Sequence, residues 1–155
     1  MSSEEVKKKI ADYLAAHRKM ALATATSKCE PMAHTVEYVS EGMTVYFATG
    51  IDTVKAKNIN ANPSVAYTVD EDYDDWMKIQ GVQMEGKASI LAHRPEIEHA
   101  AALYMQKFPF VKDLPSAPHL IFIKVEPVVG WFLDYTKGFM HKERVEFETE
   151  KRKAA

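Results

Sequence analysis

The stretch from Met20 to Thr49 restricts the fold more than any other part of the chain. Three runs in it alternate apolar and polar residues: "MALATATS", "MAHTVEYVS" and "MTVYFAT". Turn signals separate them, with Lys28-Cys29-Glu30-Pro31 after the first run and Glu41-Gly42 after the second. A period of two sends successive side chains to opposite faces, so each run buries one face only as a β-strand. The segment is expected to be a three-strand antiparallel meander.

The rest of the chain extends this pattern. Ser2-x-x-Glu5 fits a capping box, and Val6, Ile10, Tyr13, Leu14 and His17 follow at helical spacing, which predicts an N-terminal helix over 3–18. Beyond the meander, "SVAYTVD" reads as a fourth strand and the acidic "DEDYDD" as a solvated loop with no catalytic role. "WMKIQGVQMEGKASIL" reads as one unusually long fifth strand, in which Gly81 and Gly86 suit bulges or sharp coiling. "RPEIEHAAALYMQKF" has Pro95 at a helix-starting position and Ile97, Ala100, Ala101, Tyr104, Met105 and Phe108 on one stripe. "PFVKDLPSAP" is a proline-punctuated loop. "HLIFIKVEP" and "VVGWFLDY" are expected to be two closing strands split by Pro127, with a frayed tail from about residue 145 that ends in "KRKAA". Six or seven short antiparallel strands with two or three helices predict an α+β, predominantly β protein. A curled sheet of that size closes as a small barrel, here a single domain over 1–155.

Composition removes several function classes. Lys and Arg total 20 against 22 Asp and Glu, a net charge of −2, so no basic excess points to nucleic acid. Cys29 is the single cysteine, no N-terminal apolar run follows a basic start, and no stretch approaches the ~20 apolar residues that span a bilayer. A cytoplasmic protein with no membrane attachment is expected. His17, His34, His93, His99, His119 and His141 never form an H-x-x-x-H or H-E-x-x-H pair, so no metal site is expected. The G-x-S-x-G elbow, the G-x-x-x-x-G-K-[ST] loop and the G-x-G-x-x-G turn are all absent, which removes the main support for hydrolase and Rossmann readings. No residue stands out as a catalytic acid or base.

One segment does carry chemistry. In "YFATGIDTVKAKNINANP" a strand passes through Gly50 into a short helix with Asp52 or Thr53 as N-cap, Ala56 and Ile59 facing inward, and Lys55, Lys57 and Asn60 facing out. Lysines at a helix N-terminus oppose the macrodipole, which an anion there would relieve. Two readings stay open on these residues alone: a plain capped helix with solvated lysines, or a cradle of N–H groups, hydroxyls and ammonium for a phosphate.

Taken in order, "MALATATSKCEPMAHTVEY", "VYFATGIDTVKAKNINANPSVAYTV", "GVQMEGKASIL" and "VVGWFLDY" resemble the pyridoxamine 5'-phosphate oxidase-like flavin-binding proteins. The resemblance implies a split β-barrel that binds FMN between the subunits of a homodimer. It places the FMN phosphate on Thr49, Thr53 and Lys55, around the Gly50 turn. Val54 stands where the oxidase has an arginine, and Lys57 is the candidate to compensate. His34 replaces a second-strand arginine, so that His34, Thr35 and Val36, on toward Tyr38, run beside the isoalloxazine and ribityl group. Gln83 and Trp131 match positions that meet the flavin, Trp131 from the partner subunit. Each residue also has a plain structural role: strand end and cap for Thr49 and Thr53, solvated lysine for Lys55, interior histidine for His34, cross-strand pair for Gln83, core aromatic for Trp131. The oxidase's closing arginine and histidine cluster is replaced by "DYTKGFMHKERVEF", so vitamin B6 oxidation is not implied; this stretch either covers the flavin or dimer seam or forms an exposed edge hairpin. The functional expectation is an FMN-dependent oxidoreductase acting on an unidentified small molecule. The alternatives are an FMN-binding or electron-transfer protein without turnover, and a split barrel that carries haem or a deazaflavin.

Overall fold

The computed structural model describes residues 1–117 and 119–147. Helix α1 is Ser3–Ala16, and its capping box is complete: the Glu5 N–H donates to Ser2 Oγ at 3.2 Å, and the Ser2 N–H donates to Glu5 Oε2 at 2.9 Å. Then follow β1 Lys19–Ala25, β2 Pro31–Glu37, β3 Val39–Glu41, β4 Thr44–Gly50, α2 Val54–Ala61, β5 Ser64–Val69, β6 Gln80–Ile90, α3 Arg94–Lys107, β7 Leu120–Asp134 and β8 Lys142–Glu146. The strands form one curled antiparallel sheet in the order β2-β1-β5-β6-β7-β4-β3, with β8 on β7. This is the α+β curled sheet expected from the pattern, in the split-barrel form that the resemblance implied.

The expected meander is not there. β1 and β2 make one hairpin, β3 and β4 make another, and the two stand at opposite ends of the strand order. The chain breaks at Tyr38, whose hydroxyl donates to the Leu14 carbonyl at 2.6 Å and whose N–H donates to the Arg18 carbonyl. Tyr38 and Val39 are both buried because both faces of the strand are covered here: Tyr38 joins the barrel interior, while Val39 packs with Ala100 and Phe108 on the outside.

Three further expectations change. Trp76–Lys78 is a 3-10 turn rather than the start of β6; Asp75 caps it by accepting the Met77 N–H, and Trp76 and Met77 lie exposed. Pro127 does not split the closing segment: β7 runs unbroken through it and is 15 residues long. The outer edge of β7 pairs with β4 as far as Val125 and with β8 from Val129, so Pro127 stands where that edge has no ladder to interrupt. Val128 is an extra residue there, since Glu85 pairs with Val129 and Gly86 with Pro127. The tail is ordered to Phe147, since β8 is paired and Val145 and Phe147 are buried; 148–155, with "KRKAA", lie outside the described residues.

The core fills the barrel from one side with Val6, Ile10, Tyr13 and Leu14 of α1, and from the sheet with Leu22, Phe47, Tyr67, Met84 and Ile123 among others. β4 is buried on both faces over Val45-Tyr46-Phe47, because Val45 and Phe47 point into the barrel and Tyr46 lies under α3. Of the stripe expected on α3, Ala100 and Phe108 are buried, but Met105 is exposed. At Gly86 a β-carbon would stand 2.7 Å from Val125 Cγ1 and 2.8 Å from the Glu126 carbonyl, where the bulge draws β6 and β7 together. Gly86→Ala is expected to lower stability by roughly 1–3 kcal/mol through overpacking, read as a lower urea midpoint with an unchanged slope.

Candidate functional site

The turn from β4 into α2 orders a set of donors. Thr53 is the N-cap of α2; its Oγ1 accepts from the Ala56 N–H at 3.3 Å and donates to the Gly50 carbonyl at 2.9 Å. Thr49 is 7 % exposed, with its hydroxyl 3.0 Å from that of Thr53. The single Thr53 proton is taken by Gly50, so Thr49 is the donor between the two hydroxyls. Asp52, the other cap candidate, does not fill that place. The first-turn N–H groups of Val54 and Lys55 have no acceptor among the described residues, as a helix start dictates. Lys55 is half-buried, and among the described residues no carboxylate lies within 4.0 Å of its ammonium. Val54 is 50 % exposed beside it.

This turn opens on a cleft of about 1140 Å³. One wall is Thr35 and Val36 of β2 with Thr49 and Lys55; the facing wall is α3 and the turn after it, with Met105, Phe108, Phe110 and Leu114. Tyr104 holds the walls together. Its hydroxyl accepts from the Ala48 N–H at 3.1 Å and donates to the Glu37 carbonyl at 3.0 Å, so one α3 side chain spans from β4 to β2 across the seam of the barrel. Burial raises its phenol well above the ordinary range. Arg18 and Lys19 stand at the rim. Close by, the Lys107 ammonium donates to the His17 carbonyl and lies 4.3 Å from the Tyr38 ring centre; desolvation and the Arg18 charge pull it down to about 8.

His34 faces the barrel interior on β2, opposite Leu22. Its Nε2 lies 2.8 Å from Thr24 Oγ1, which in turn accepts from Asn58 Nδ2 of α2 at 3.0 Å. Desolvation lowers the imidazole pKa, and the Lys55 ammonium lowers it further, so both favour the neutral ring.

The structure therefore brings Thr35, Val36, Thr49 and Lys55 to one cleft, with Gly50, Thr53 and His34 adjoining through hydrogen bonds and charge. It does not bring Gln83 and Trp131 there. Lys57 is exposed and off the cleft, so nothing in its position makes good the arginine replaced by Val54. Gln83 borders a separate hollow of about 310 Å³ beside the acidic loop, and Trp131 pairs with it across the β6–β7 ladder, 6.0 Å from the Arg144 guanidinium. Both lie on the outer sheet face in a single cross-strand row, Thr35–Ala21–Thr68–Gln83–Trp131. At about 4.8 Å per strand, Trp131 is roughly 19 Å from Thr35 within the protomer. Around that row the outer face is made of small side chains: Ala21, Ala23, Ala33 and Ala66.

Sequence reasoning missed Tyr104, Lys107, Thr24 and Asn58. Asn58 alone left a signal, a polar residue one position from inward-facing Ile59 and two from Ala56; Tyr104 was counted as core, and the rest needed the tertiary fold. Among the described residues no three His, Cys, Asp or Glu side chains come together as a metal site, and no helix is long and apolar enough to cross a membrane.

A curled split barrel whose β4–α2 turn opens donors onto a cleft defines the class: a split β-barrel protein with a candidate anion-binding turn. The family model described as "Pyridoxamine 5'-phosphate oxidase" matches residues 6–134. The chain belongs to that family. It is 28 % identical over 127 residues to general stress protein 26 of Bacillus subtilis, covering 82 % of this chain and 87 % of that one. Among solved structures, a conserved hypothetical protein from Mycobacterium tuberculosis superposes with a TM-score of 0.73 at 20 % identity, covering 97 % of this chain and 94 % of that one. A heme binding protein from Mycobacterium smegmatis superposes with a TM-score of 0.74 at 16 % identity, covering 90 % of this chain and 57 % of the other. At these identities the structural matches establish the fold.

Proposed function

We propose that this protein binds FMN, phosphate first, at the β4–α2 turn, and acts in the cytoplasm as a flavin-dependent oxidoreductase on a small molecule. The observation that carries the reading is Lys55: a half-buried ammonium at a helix N-terminus, beside two first-turn N–H groups without acceptors, and with no carboxylate in reach among the described residues. A phosphate dianion answers all three.

The residues fit the group in parts. Lys55 and the Val54 and Lys55 N–H groups are available as donors, and Thr49 becomes one by turning its proton away from Thr53. Thr53 already uses its whole capacity in the cap and serves chiefly to fix the turn. When bound, FMN supplies the hydride or electron chemistry. The chain's own part is to seat the phosphate, to lay β2 along the ligand, and to exclude water with the apolar wall of α3.

The outer-face row supports a homodimer. A two-fold axis crossing that small-residue face would set the Trp131 end of the row in one protomer against the Thr35 end in the other, and so close a site that one chain leaves open.

Titration of the purified protein with FMN, followed by absorbance and by quenching of tryptophan emission, tests the reading. Flavin bands that remain with the protein through gel filtration are expected, at the mass of a dimer. A protein that stays colourless with FMN present, or that gives a Soret band with haem and none of the flavin bands with FMN, overturns it. Repeated turnover of NADH or NADPH with the FMN-loaded protein separates an oxidoreductase from a flavin carrier.

A further inference from the structure

The chain His34–Thr24–Asn58 links the strand beside the cleft to the inner face of the helix that carries Lys55. Thr24 is 2 % exposed and Asn58 8 %, so the Thr24 hydroxyl and its bond to Asn58 are closed to solvent, and the bond to His34 is partly so. Thr24 Oγ1 has one proton to give and two lone pairs. Asn58 Nδ2–H occupies one lone pair at 3.0 Å. Were His34 Nε2–H to occupy the other, the Thr24 proton would be left buried without an acceptor, at a cost of roughly 1–3 kcal/mol. The arrangement that satisfies all three groups has Thr24 donating to His34 Nε2 at 2.8 Å. Nε2 is then the bare nitrogen, and Nδ1 carries the proton.

We infer that Thr24 and Asn58 are positioning residues that lock His34 as the neutral Nδ1–H tautomer, and that this N–H is a further hydrogen-bond donor to the ligand anchored at Lys55. Nδ1 has no partner among the described residues. His34 directly precedes Thr35 and Val36, which line the cleft with Lys55, and its hydrogen-bond chain ends on Asn58, three residues along α2 from Lys55, so the ring stands beside the proposed phosphate site. A lysine or arginine at position 34 would add a second positive charge next to Lys55; a neutral imidazole adds a donor without that repulsion. Asn58 belongs to α2, and so the helix that presents Lys55 also sets the tautomer of His34. The assignment of the tautomer rests on the protein alone; the role as ligand donor rests on the FMN reading.

The two parts are tested separately. In full-length 15N-labelled protein without flavin, long-range 1H–15N correlation at pH 7 is expected to show His34 with a pyrrole-like Nδ1 and a pyridine-like Nε2. In Thr24→Val the Nε2–H tautomer, or a mixture, is expected to replace it, and Thr24→Ser is expected to restore the original pattern. A pyrrole-like Nε2 in the unaltered protein means that the Asn58 amide faces the other way, and overturns the assignment without any variant. An unchanged pattern in folded Thr24→Val overturns it as well. On addition of FMN, a shift of the His34 Nδ1 resonance is expected, together with a loss of FMN affinity of several-fold or more in Thr24→Val that disappears when His34 is also changed to Gln. FMN binding that leaves Nδ1 unmoved overturns the donor role. Failure of FMN to bind at all overturns the FMN reading, and the donor role with it, while the tautomer result stands by itself.

Discussion

Replacing Lys55 with alanine is expected to weaken FMN binding by roughly ten- to hundredfold while leaving the fold intact. A hydrogen bond to a charged group contributes about 1.5–3 kcal/mol, and each 1.4 kcal/mol is about tenfold in affinity. The loss falls on binding because the Lys55 ammonium makes no hydrogen bond or ion pair among the described residues, so folding does not depend on its charge. Stability should stay within about 0.5 kcal/mol of the unaltered protein. Thr53→Ala gives the contrasting result: it removes the cap of α2 and is expected to cost about 1 kcal/mol of stability before any ligand is added. A readout independent of FMN accompanies the Lys55 variant. Without the ammonium, the repulsion on His34 is gone, and its titration, followed by NMR, moves upward toward the ordinary histidine value. If Lys55→Ala binds FMN with unchanged affinity, the phosphate lies elsewhere.

The largest effect on stability is expected at Phe47. Its side chain is 0 % exposed, in the middle of a strand buried on both faces, within the core cluster that also holds Ile10, Leu14, Leu22 and Ile123. Phe47→Ala is expected to cost about 3–5 kcal/mol, the range for truncating a buried aromatic where the cavity stays open. For a chain of this size that lowers the melting temperature by on the order of 10 °C. Calorimetry or urea denaturation reads it, and a loss under 1 kcal/mol would mean that the barrel interior is less closely packed than the structure shows.

The strands were legible because their alternation is local: each inward residue of β1, β5 and β6 follows a period-two rule written in consecutive positions. The rule fails where a second object packs on the other face. Val39 gave no sign that the outward face of its strand is covered, because what covers it, Ala100 and Phe108, lies some sixty residues away in sequence. Pro127 misled for a related reason. A proline interrupts a strand only if a neighbour needs its N–H, and whether β4 or β8 lies opposite that edge is a matter of strand order. Trp76 and Met77 are apolar residues of a kind that strands favour, yet the Asp75 cap turns them out of the sheet.

The candidate site divides along the same line. Thr49, Thr53 and Lys55 sit within one β-turn-α unit, so spacing put them near one another, while the resemblance, not spacing, singled them out for a phosphate. Tyr104, Thr24 and Asn58 act across the barrel, and nothing in their local sequence says that one closes its seam or that the other two hold a histidine.

By itself, then, the sequence determined the class of fold, the capping box of α1 and the gathering of hydroxyls and lysines at the start of α2, because period and cap are properties of neighbouring residues. The tertiary structure alone decided which strands pair, that the cleft is walled by α3, and that Gln83 and Trp131 stand apart from it within the protomer. Those follow from the curl of a closed sheet, which fixes the distance between residues far apart in the chain by the number of strands between them.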